Sequence, residues 1–441
     1  MAASAREIAV LTLTACQRQG AWSDGYLKRM LREHGLDRRE AALATRLCLG
    51  VLQNQLLLDW HLDRFCAKGL ESLEPGIRNI LRVAVYQLLF LDKIPASAAV
   101  YEAVEQARAH SRNSRAAGVV NGVLRSLLRQ MPLPEPEGRD VLDTLSISTS
   151  HPRWLVEAFA RRLGMEGARA LLLADNAQPP TYAQVNLCRF SCEETAQQLE
   201  REGAHAAVHP WLPGCLVLTG TGNLESLTAF RKGMFYVQDC AARLAVTAAG
   251  LTPGERVLDC CAAPGGKSFA AAQNLEDRGE VVCCDIHPHK IKLMEAGRTR
   301  LGLSCLRPTL HSAVEPRAEW LNAFDAVIAD VPCSGLGIIR KKPDIRYKDP
   351  APLAGLPAVQ SRILAQNAQY VRPGGRLIYS TCTLLERENE AVVKAFVGEH
   401  PDFCLEAFTL PRWGRQEGAM TFWPHIHETD GFFIAKLRRK G

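Results

Sequence analysis

The sequence predicts a multidomain protein with an all-helical N-terminal domain, a small α+β middle domain and a C-terminal α/β domain built on a doubly wound sheet. Three observations support this fold class. The chain has 441 residues, which is more than one hydrophobic core usually serves. Apolar residues recur at helical spacing up to about Gln130. Strand-like segments alternate with helix-like ones after Leu251.

The N-terminal domain is predicted over residues 1–130. Apolar side chains repeat every three or four residues in Glu40–Leu57 and in Ile77–Leu91, which is the spacing of an amphipathic helix. Three prolines then fall within Met131–Gly138, and proline inside a helix or a central strand removes a backbone donor. We therefore predict a linker over residues 131–149.

The middle domain is predicted over residues 150–240. Helical spacing is found in Leu155–Leu163 and in Glu193–Glu202, and short β-rich segments are found in Tyr182–Leu187 and Cys215–Leu218. This mixture indicates a small α+β domain.

The C-terminal domain is predicted over residues 241–441. Alternating strands and helices are typical of a doubly wound sheet with helices on both faces. The predicted strands are Arg256–Cys260, Val281–Asp285, Phe324–Asp330, Arg376–Ser380, a segment near Phe403 and Phe432–Leu437, with helices from Lys267, from Lys290 and around Leu353–Tyr370.

The composition limits the class of protein. With 47% hydrophobic and 23% charged residues, it excludes disordered, collagen-like and coiled-coil chains. Fifteen cysteines without a Cys-x-x-Cys pair or a secretory signal predict free thiols in the cytoplasm and no metal site. The longest uncharged stretch, about Gly203 to Leu224, is interrupted by Pro, Gly and His, so no membrane partner is expected.

The charge excess lies in the N-terminal domain. Residues 1–130 carry 18 Lys and Arg against 12 Asp and Glu, whereas the rest of the chain carries 35 of each. Such an excess can attract a phosphate backbone, although charge alone is explained more simply by a solvated helical face. The arginines that contribute most densely are Arg108, Arg112, Arg115, Arg125 and Arg129.

The first chemical motif runs from Arg256 to Ser268 and reads Arg-Val-Leu-Asp-Cys-Cys-Ala-Ala-Pro-Gly-Gly-Lys-Ser. It places a buried strand before a glycine turn and a helix, and ligands of α/β sheets bind at the carboxyl ends of strands. Cys261 stands where a Walker loop needs glycine, and no Gly-x-Gly-x-x-Gly fingerprint occurs. Asp285 ends the next strand, where it can accept hydrogen bonds from ribose hydroxyls. Together these features favour a nucleoside cofactor.

Two further predicted strands lead into a thiol. Phe324–Asp330 is followed by Pro332 and Cys333, and the strand that ends near Ser380 is followed by Cys382. Packing would explain one such cysteine, but two of them beside Asp330 favour chemistry.

Two thiols beside a methyl-donor site suit one reaction in particular. Cytosine C5 is too weak a nucleophile to take a methyl group directly, whereas addition of a thiolate to C6 makes C5 enamine-like. The addition requires protonation or hydrogen bonding at N3, for which Asp330 is positioned, and a base must later remove the C5 proton so that the thiol can leave.

These motifs resemble those of the Sun family of RNA cytosine-C5 methyltransferases. The N-terminal part of the chain resembles a NusB-type RNA-binding helical domain. The resemblance covers nearly the whole chain. The segments that carry it are Asp259–Lys267, Asp330–Cys333, Ser380–Thr383, Gly233–Asp239, Ser150–Trp154, Pro179–Asn186 and Arg340–Asp344 for the methyltransferase part, and Asp37–Thr45, Leu49–Leu52, Glu102–Ala107 and Val120–Arg125 for the N-terminal part.

The resemblance implies a Rossmann-like class I methyltransferase with a seven-stranded sheet, which uses S-adenosyl-L-methionine and acts on RNA, with 16S rRNA as the first choice. It also implies a cytoplasmic monomer that does not bind DNA. Cys382 is expected to attack C6, Cys333 to assist release of the methylated base and Asp330 to contact the cytosine. The residues expected to hold the cofactor are Cys261, Ala262, Ala263, Pro264, Gly265, Gly266, Lys267, Asp285 and Asp330.

The chain departs from the family pattern at three places. His311–Ala313 stands where an acidic residue usually contacts the adenine side, Val331 replaces alanine after Asp330, and Ala183–Gln184 replaces Leu-Arg.

Three alternatives stay open at this point. The nucleophile can be Cys333 instead of Cys382, as in DNA cytosine methyltransferases. The substrate can be a transfer RNA. The protein can also be a non-catalytic RNA-binding assembly factor, although the presence of Asp330 and of both cysteines argues against this.

Overall fold

The computed structural model describes residues 3–19, 21–111 and 113–441. The chain divides into two compact units. Unit 1 comprises Met1–Ala177 together with Ile339–Lys348, and unit 2 comprises Gln178–Ile338 together with Asp349–Gly441. Unit 1 is therefore built from two separate stretches of the chain.

Unit 1 is helical, as predicted. Its helices α3 and α4 contain the two segments with the clearest apolar spacing, and Asp37 caps α3 by accepting from the backbone N–H groups of Arg39 and Glu40 at 2.8 Å. The bounds are α1 Ala5–Gln19, α2 Ser23–His34, α3 Arg38–Asp63, α4 Pro75–Phe90, α5 Ala96–His110, α6 Ala116–Arg129, α7 Val141–Thr149 and α8 Arg153–Asp175.

Helix α3 is long and apolar enough, by length and composition, to cross a membrane. Its side chains instead supply the core of the helical unit, where Leu47, Leu58 and Leu62 are fully buried. Each such side chain stabilises the fold by about 1.5–3 kcal/mol relative to an exposed one.

The segment predicted as a linker has two parts. Residues 131–138 contain no helix or strand, but Val141–Thr149 forms helix α7, which Asp140 caps by accepting from the N–H of Asp143 at 2.8 Å. The next helix, α8, continues past the predicted end at Leu163 because a kink at Gly164, with φ of 71°, joins a second helical stretch.

Unit 2 begins with a four-stranded antiparallel sheet in the order β2-β3-β1-β4. Strands β2 and β4 were not predicted, since they span only four and three residues and show no clear alternation. The bounds are β1 Thr181–Val185, α9 Cys192–Arg201, β2 His205–Val208, β3 Cys215–Thr219, α10 Thr228–Arg231 and β4 Phe235–Val237.

A larger sheet occupies the rest of unit 2. Seven of its strands follow the order β10-β14-β9-β8-β5-β6-β7, and β13 pairs with β14 as an eighth. The bounds are α11 Cys240–Ala249, β5 Arg256–Asp259, α12 Gly266–Asn274, β6 Glu280–Asp285, α13 Pro288–Leu301, β7 Leu306–Leu310, β8 Phe324–Asp330, α14 Pro350–Leu353, α15 Leu356–Ala368, β9 Val371–Thr381, α16 Glu390–Glu399, β10 Phe403–Leu405, β11 Phe408–Leu410, β12 Gly414–Gln416, β13 Ala419–Phe422, α17 Pro424–His427 and β14 Phe432–Arg439.

The larger sheet is doubly wound, as predicted. Strands β5 to β9 are parallel, and β14 pairs with β9 in the antiparallel direction. Successive side chains of β5 face opposite cores: Val257 packs with residues of α11 and α12, and Leu258 with residues of α15 and α16. Because β6 and β8 lie on opposite sides of β5, the strand order reverses at β5 and β8, which is where α/β sheets bind ligands.

The predicted middle domain, 150–240, is divided between the two units, because α8 belongs to unit 1 and the four-stranded sheet to unit 2. The basic segment Arg340–Asp344 lies in unit 1.

Candidate active site

The predicted site residues from different strands meet at one edge of the larger sheet. Strands β6, β5, β8 and β9 are consecutive neighbours and run parallel, so their carboxyl ends lie side by side. Asp285 ends β6, Asp259 ends β5 and Asp330 ends β8, while Cys382 directly follows β9.

The predicted cofactor turn connects β5 to α12. The N–H of Ala262 donates to the carbonyl of Cys284 at 2.8 Å, and the N–H of Gly265 donates to the carbonyl of Ala262 at 2.7 Å. The Ala263–Pro264 peptide bond is cis. The two hydrogen bonds hold the turn against β6, so that the N-terminus of α12 lies at the sheet edge.

Gly265 is the position at which this turn requires glycine. Its φ is 111°, and a Cβ placed there would lie 2.6 Å from the ring of Phe269. An L side chain rarely adopts this conformation, so the open backbone face of the turn depends on this residue.

The turn is also tied to the strand below it. Ser268 Oγ, in the first turn of α12, donates to Asp259 Oδ2 at 2.7 Å, and both residues are fully buried. Burial raises the pKa of Asp259 to about 7. Asp259 was not among the predicted site residues, although it opens the matching motif.

Asp285 lies at the edge of the turn region. Its Oδ1 accepts from the N–H of His287 at 2.9 Å, and its Oδ2 lies 3.4 Å from Lys290 Nζ. The side chain is almost buried. The N–H of His311 donates to the backbone oxygen of Asp285 at 3.2 Å, so the segment that departs from the family pattern reaches the same edge.

Lys267 and Asp330 form an ion pair in the crevice. Lys267 Nζ lies 2.7 Å from Asp330 Oδ2, and Ser380 Oγ donates to Asp330 Oδ1 at 2.8 Å. Burial by itself lowers the pKa of Lys267, but the charge of Asp330 and its hydrogen bond outweigh burial, so that the pKa is raised. The ammonium of the predicted cofactor turn therefore faces the carboxylate that is expected to contact the base.

The two cysteines that were predicted to be chemical lie together. Cys333 Sγ and Cys382 Sγ are 3.3 Å apart, and neither side chain is fully buried. The hydrogen bond to Cys382, followed by burial, raises the pKa of Cys333 well above its ordinary value. Cys333 and Cys382 follow the neighbouring parallel strands β8 and β9, and Asp330 ends β8, so one crevice contains both thiols and the Lys267–Asp330 pair.

A buried polar cluster supports the two cysteine loops, and the sequence reasoning missed it. Glu388, which is fully buried, accepts from the N–H of Ser334 and from Gln360 Nε2, both at 2.9 Å. Asn389 accepts from Thr381 Oγ1 at 2.6 Å and donates to the carbonyl of Thr383 at 3.0 Å. In the sequence, the acidic segment 386–390 after β9 is the feature that could have indicated this cluster. It was not recognised because its hydrogen-bond partners are distant in sequence.

The loops are also joined directly. The N–H of Gly337 donates to the carbonyl of Cys382 at 2.9 Å, and Ser334 Oγ lies 2.7 Å from Thr383 Oγ1. A Cβ at Gly337 would lie 2.0 Å from the carbonyl oxygen of Gly431. Glycine at 337 thus permits the close approach that holds Cys333 beside Cys382.

Models of three known families match the chain. The model described as 16S rRNA methyltransferase RsmB/F matches residues 246–438. The NusB family model matches residues 3–129, and a ferredoxin-like domain of RsmF/B-like methyltransferases matches residues 151–225. The matches follow the same order as the predicted domains.

Full-length relatives and solved structures agree with these matches. The probable ribosomal RNA small subunit methyltransferase B of Bacillus subtilis (strain 168) is 36% identical over 99% of both chains. The ribosomal RNA small subunit methyltransferase B of Cronobacter sakazakii is 31% identical over 92% of both. The crystal structure of PH0851 is similar over all of both chains, with 25% identity and a TM-score of 0.83. NSun6 from Pyrococcus horikoshii, at 23% identity over 66% of this chain and 98% of its own, shares the fold with a TM-score of 0.59.

The resemblance predicted from the motifs is confirmed, because relatives above 30% identity extend across almost the whole chain. This chain contains the NusB-like, ferredoxin-like and methyltransferase parts together. The chain belongs to the RsmB/F family of 16S rRNA methyltransferases.

Proposed function

We propose that this protein transfers a methyl group from S-adenosyl-L-methionine to C5 of a cytosine in 16S rRNA. The observation that supports the cytosine chemistry most strongly is the pair of thiols, with Cys333 and Cys382 only 3.3 Å apart. A single methyl transfer to an oxygen or a nitrogen needs no thiol, whereas transfer to cytosine C5 needs a covalent nucleophile at C6.

The residues at the sheet edge fit the proposed cofactor. Gly265 and Gly266 present backbone without side chains at the start of α12, and Asp285 offers a carboxylate at the end of β6 for ribose hydroxyls. Cys261 to Lys267, together with Asp285 and Asp330, would hold the nucleoside and the methionine part. When bound, S-adenosyl-L-methionine supplies an electrophilic methyl group on a sulfonium.

In the proposed reaction, the Cys382 thiolate adds to C6, and the electrons of the C5–C6 double bond are delocalised toward N3 as N3 is protonated. Asp330 and Lys267, 2.7 Å apart, together hold a proton at the base. The electron pair that the enamine-like ring places on C5 then forms the new carbon–carbon bond, while the carbon–sulfur bond of the donor breaks and its electrons leave with the sulfur as a neutral thioether. A base removes the C5 proton, and N3 returns its proton to the Lys267–Asp330 pair. The electrons of the broken C–H bond restore the C5–C6 double bond and expel the Cys382 thiolate. Cys333 assists this release.

The assignment of the two thiols can be tested by trapping the covalent RNA adduct. We expect Cys382→Ala to form no adduct, because the C6 nucleophile is lost, and Cys333→Ala to accumulate one, because release is slowed. The adduct is detected as a slower band on denaturing gels with methyl donor present. Cys404→Ala is the control, since Cys404 is exposed and on the far strand β10. An adduct with Cys382→Ala would assign attack to Cys333, and the absence of an adduct with Cys333→Ala would contradict its role in release.

The N-terminal part is proposed to hold RNA. Arg108, Arg115, Arg125 and Arg129 are all exposed on helices α5 and α6 or at their ends, and Arg112 lies outside the described residues. Replacing these four by Gln should weaken RNA binding and reduce the dependence of log Kd on log salt by about 0.7–0.9 for each lost phosphate contact. An unchanged slope, measured by fluorescence anisotropy from 50 to 300 mM salt, would contradict this role.

Two other functions have specific tests. Bisulfite sequencing of ribosomal and transfer RNA from cells lacking the protein distinguishes a 16S substrate from a transfer RNA. A non-catalytic assembly factor is favoured if calorimetry finds no binding of S-adenosyl-L-methionine. A protein of this activity is expected in the cytoplasm, where ribosomal RNA is processed, and as a monomer.

A further inference from the structure

A pocket in unit 1 lies outside the proposed catalytic crevice. It has a volume of about 360 Å³, within the range of small-ligand sites and large enough for one nucleoside. Its walls come from α1, from Ala21 and Trp22 just before α2, from α3 and α4, and from the inserted segment 339–348, all of which belong to unit 1.

One wall combines an aromatic ring with a cation. The Trp22 side chain is 52% exposed, which is unusual for a large aromatic residue in a folded helical domain. Lys348 Nζ lies 3.9 Å from the centre of the Trp22 ring. Nucleic-acid-binding proteins use this combination for single strands: a base stacks on the ring, and the cation attracts the adjoining phosphate.

The two formal charges in the interior already have partners. Both nitrogens of Arg82 that face Asp59 are within 2.8 Å of its carboxylate. Asp344 accepts from the backbone N–H of Ser23 at 3.4 Å and from its hydroxyl at 2.9 Å. The interior is therefore better suited to a neutral ligand with hydrogen-bonding edges than to a free ion.

The remaining polar groups of the wall suit the edge of a base. Gln17 and Gln55 line the pocket, and an amide side chain offers both a donor and an acceptor. The thiol of Cys16 lines it as well. Burial, and then the charge of Asp344, raises the pKa of Cys16 to about 11, so this thiol is neutral and unreactive at physiological pH.

We propose that this pocket binds one unpaired nucleotide of the RNA substrate, with its base on Trp22 and its phosphate toward Lys348. This inference rests on the proposed function, because it takes RNA as the substrate. Part of the wall is formed by Asp344, Tyr347 and Lys348. These residues come from the catalytic half of the sequence, shortly after Cys333. A NusB-like bundle by itself would lack these groups.

The proposal is tested with the full-length protein and a fluorescein-labelled single-stranded oligoribonucleotide from 16S rRNA. We expect Trp22→Ala to weaken binding by about tenfold or more, as loss of a stacked base does, and Trp22→Phe to restore most of it. Lys348→Gln should lower the salt slope by about 0.7, the value for one phosphate on a single strand, whereas Trp22→Ala should leave the slope unchanged. Leu173→Ala is the matched control, because Leu173 is 53% exposed on α8 of the same unit.

A second measurement locates the contact. RNA that carries 4-thiouridine should cross-link to Trp22 or to the segment around Lys348. The proposal is overturned if Trp22→Ala binds as tightly as the wild type, or if all cross-links lie elsewhere, in which case the pocket serves another class of ligand such as a peptide. Methyl transfer to small-subunit RNA is followed in parallel. Its absence in the wild type counts against the proposed function, whereas RNA binding that is insensitive to Trp22 counts against the pocket alone.

Discussion

Two carboxylates near the glycine turn differ in what they contact. Asp330 meets the ammonium of Lys267 at 2.7 Å and the hydroxyl of Ser380 at 2.8 Å. Asp259 is fully buried and receives one hydrogen bond from Ser268 at 2.7 Å. Burial favours the neutral form of a carboxyl group, and it raises the pKa of Asp259. The two neighbours are therefore suited to different tasks: Asp330 to the chemistry and Asp259 to the structure of the turn.

The buried Asp259 predicts a pH dependence of stability. Its pKa in the folded protein, about 7, is above that of an unfolded aspartate, so the folded state binds more protons between these two values. The contribution to stability is complete below about pH 4 and is lost as the pH rises through about 7. Asp259→Asn, which stays neutral, should therefore gain in melting temperature relative to the wild type between pH 5 and pH 8.

The measurement is thermal unfolding followed by circular dichroism at both pH values. Asp277→Asn is the control: backbone hydrogen bonds from Ser304 and Cys305 outweigh partial burial and lower the pKa of Asp277, so its contribution is complete above about pH 4. This variant should differ from the wild type by the same amount at pH 5 and at pH 8. A difference between Asp259→Asn and the wild type that is the same at pH 5 and pH 8 would exclude the proposed titration.

Among the structural elements, the connection from β5 to α12 restricts backbone conformation and side-chain size most strongly, and it does so at a few positions. Gly265 has a positive φ and no room for a Cβ beside Phe269. The helix that follows is short, nine residues, and its first residues face the crevice. A displaced turn would move both the backbone expected to hold the cofactor and the Lys267 side chain.

Gly265→Ala should weaken cofactor binding strongly. The added methyl group strains the backbone and displaces Phe269, so affinity for S-adenosyl-L-methionine is expected to fall by about a hundredfold, since a loss of roughly 2.7 kcal/mol has this effect. Isothermal titration calorimetry measures it. Gly254→Ala separates strain from the clash, because Gly254 has φ of 95° with open space around it. That variant should lose about 1 kcal/mol of stability but bind the cofactor normally, and equal binding by both variants would refute the role of Gly265.

At the scale of the whole molecule, the helical unit is completed by a distant part of the chain. Ile339–Lys348 belongs to unit 1, and Arg346 within it is fully buried. Its guanidinium reaches the carbonyls of Gln53 and Ser150 at 3.2 and 3.3 Å and Asn176 Oδ1 at 2.8 Å. Tyr347 donates to the carbonyl of Leu52 at 2.8 Å. Three helices and the inserted segment are thus joined at one buried point.

Arg346→Ala should destabilise unit 1 strongly. It removes the charged donor from the carbonyls of Gln53 and Ser150 and from Asn176 Oδ1, and a hydrogen bond from a charged group contributes about 1.5–3 kcal/mol. We expect a large loss of melting temperature in the helical signal and new proteolytic cleavage within 339–348. Arg161→Ala, on the exposed side of α8, should change neither. A melting temperature for Arg346→Ala equal to that of Arg161→Ala would show that the segment is not needed for stability.

Spacing and alternation in the sequence were enough to predict the structural class of each part of the chain. Helical spacing predicted α3 and α4, and the alternation after Leu251 predicted strands β5, β6 and β8 to within a residue or so, as for Phe324–Asp330. It missed β7 and β13, and it predicted only the second half of β9. The site could be predicted because parallel strands present their carboxyl ends at one edge, so a motif at a strand end has a known location. The relation to the RsmB/F family followed from the same motifs.

Contacts between side chains that are distant in sequence became visible in the folded protein and could not be predicted from local patterns. Lys267 reads as part of a cofactor turn, yet its ammonium contacts Asp330, 63 positions later. Glu388 accepts a hydrogen bond from the N–H of Ser334, 54 positions away. This buried contact supports the cysteine loops, and no local sequence pattern predicts it. Segment 339–348 reads as a loop of the catalytic domain, yet it completes the helical unit and one wall of a pocket. Periodicity reports which face of an element is buried, whereas the partners across long separations depend on how the chain as a whole packs.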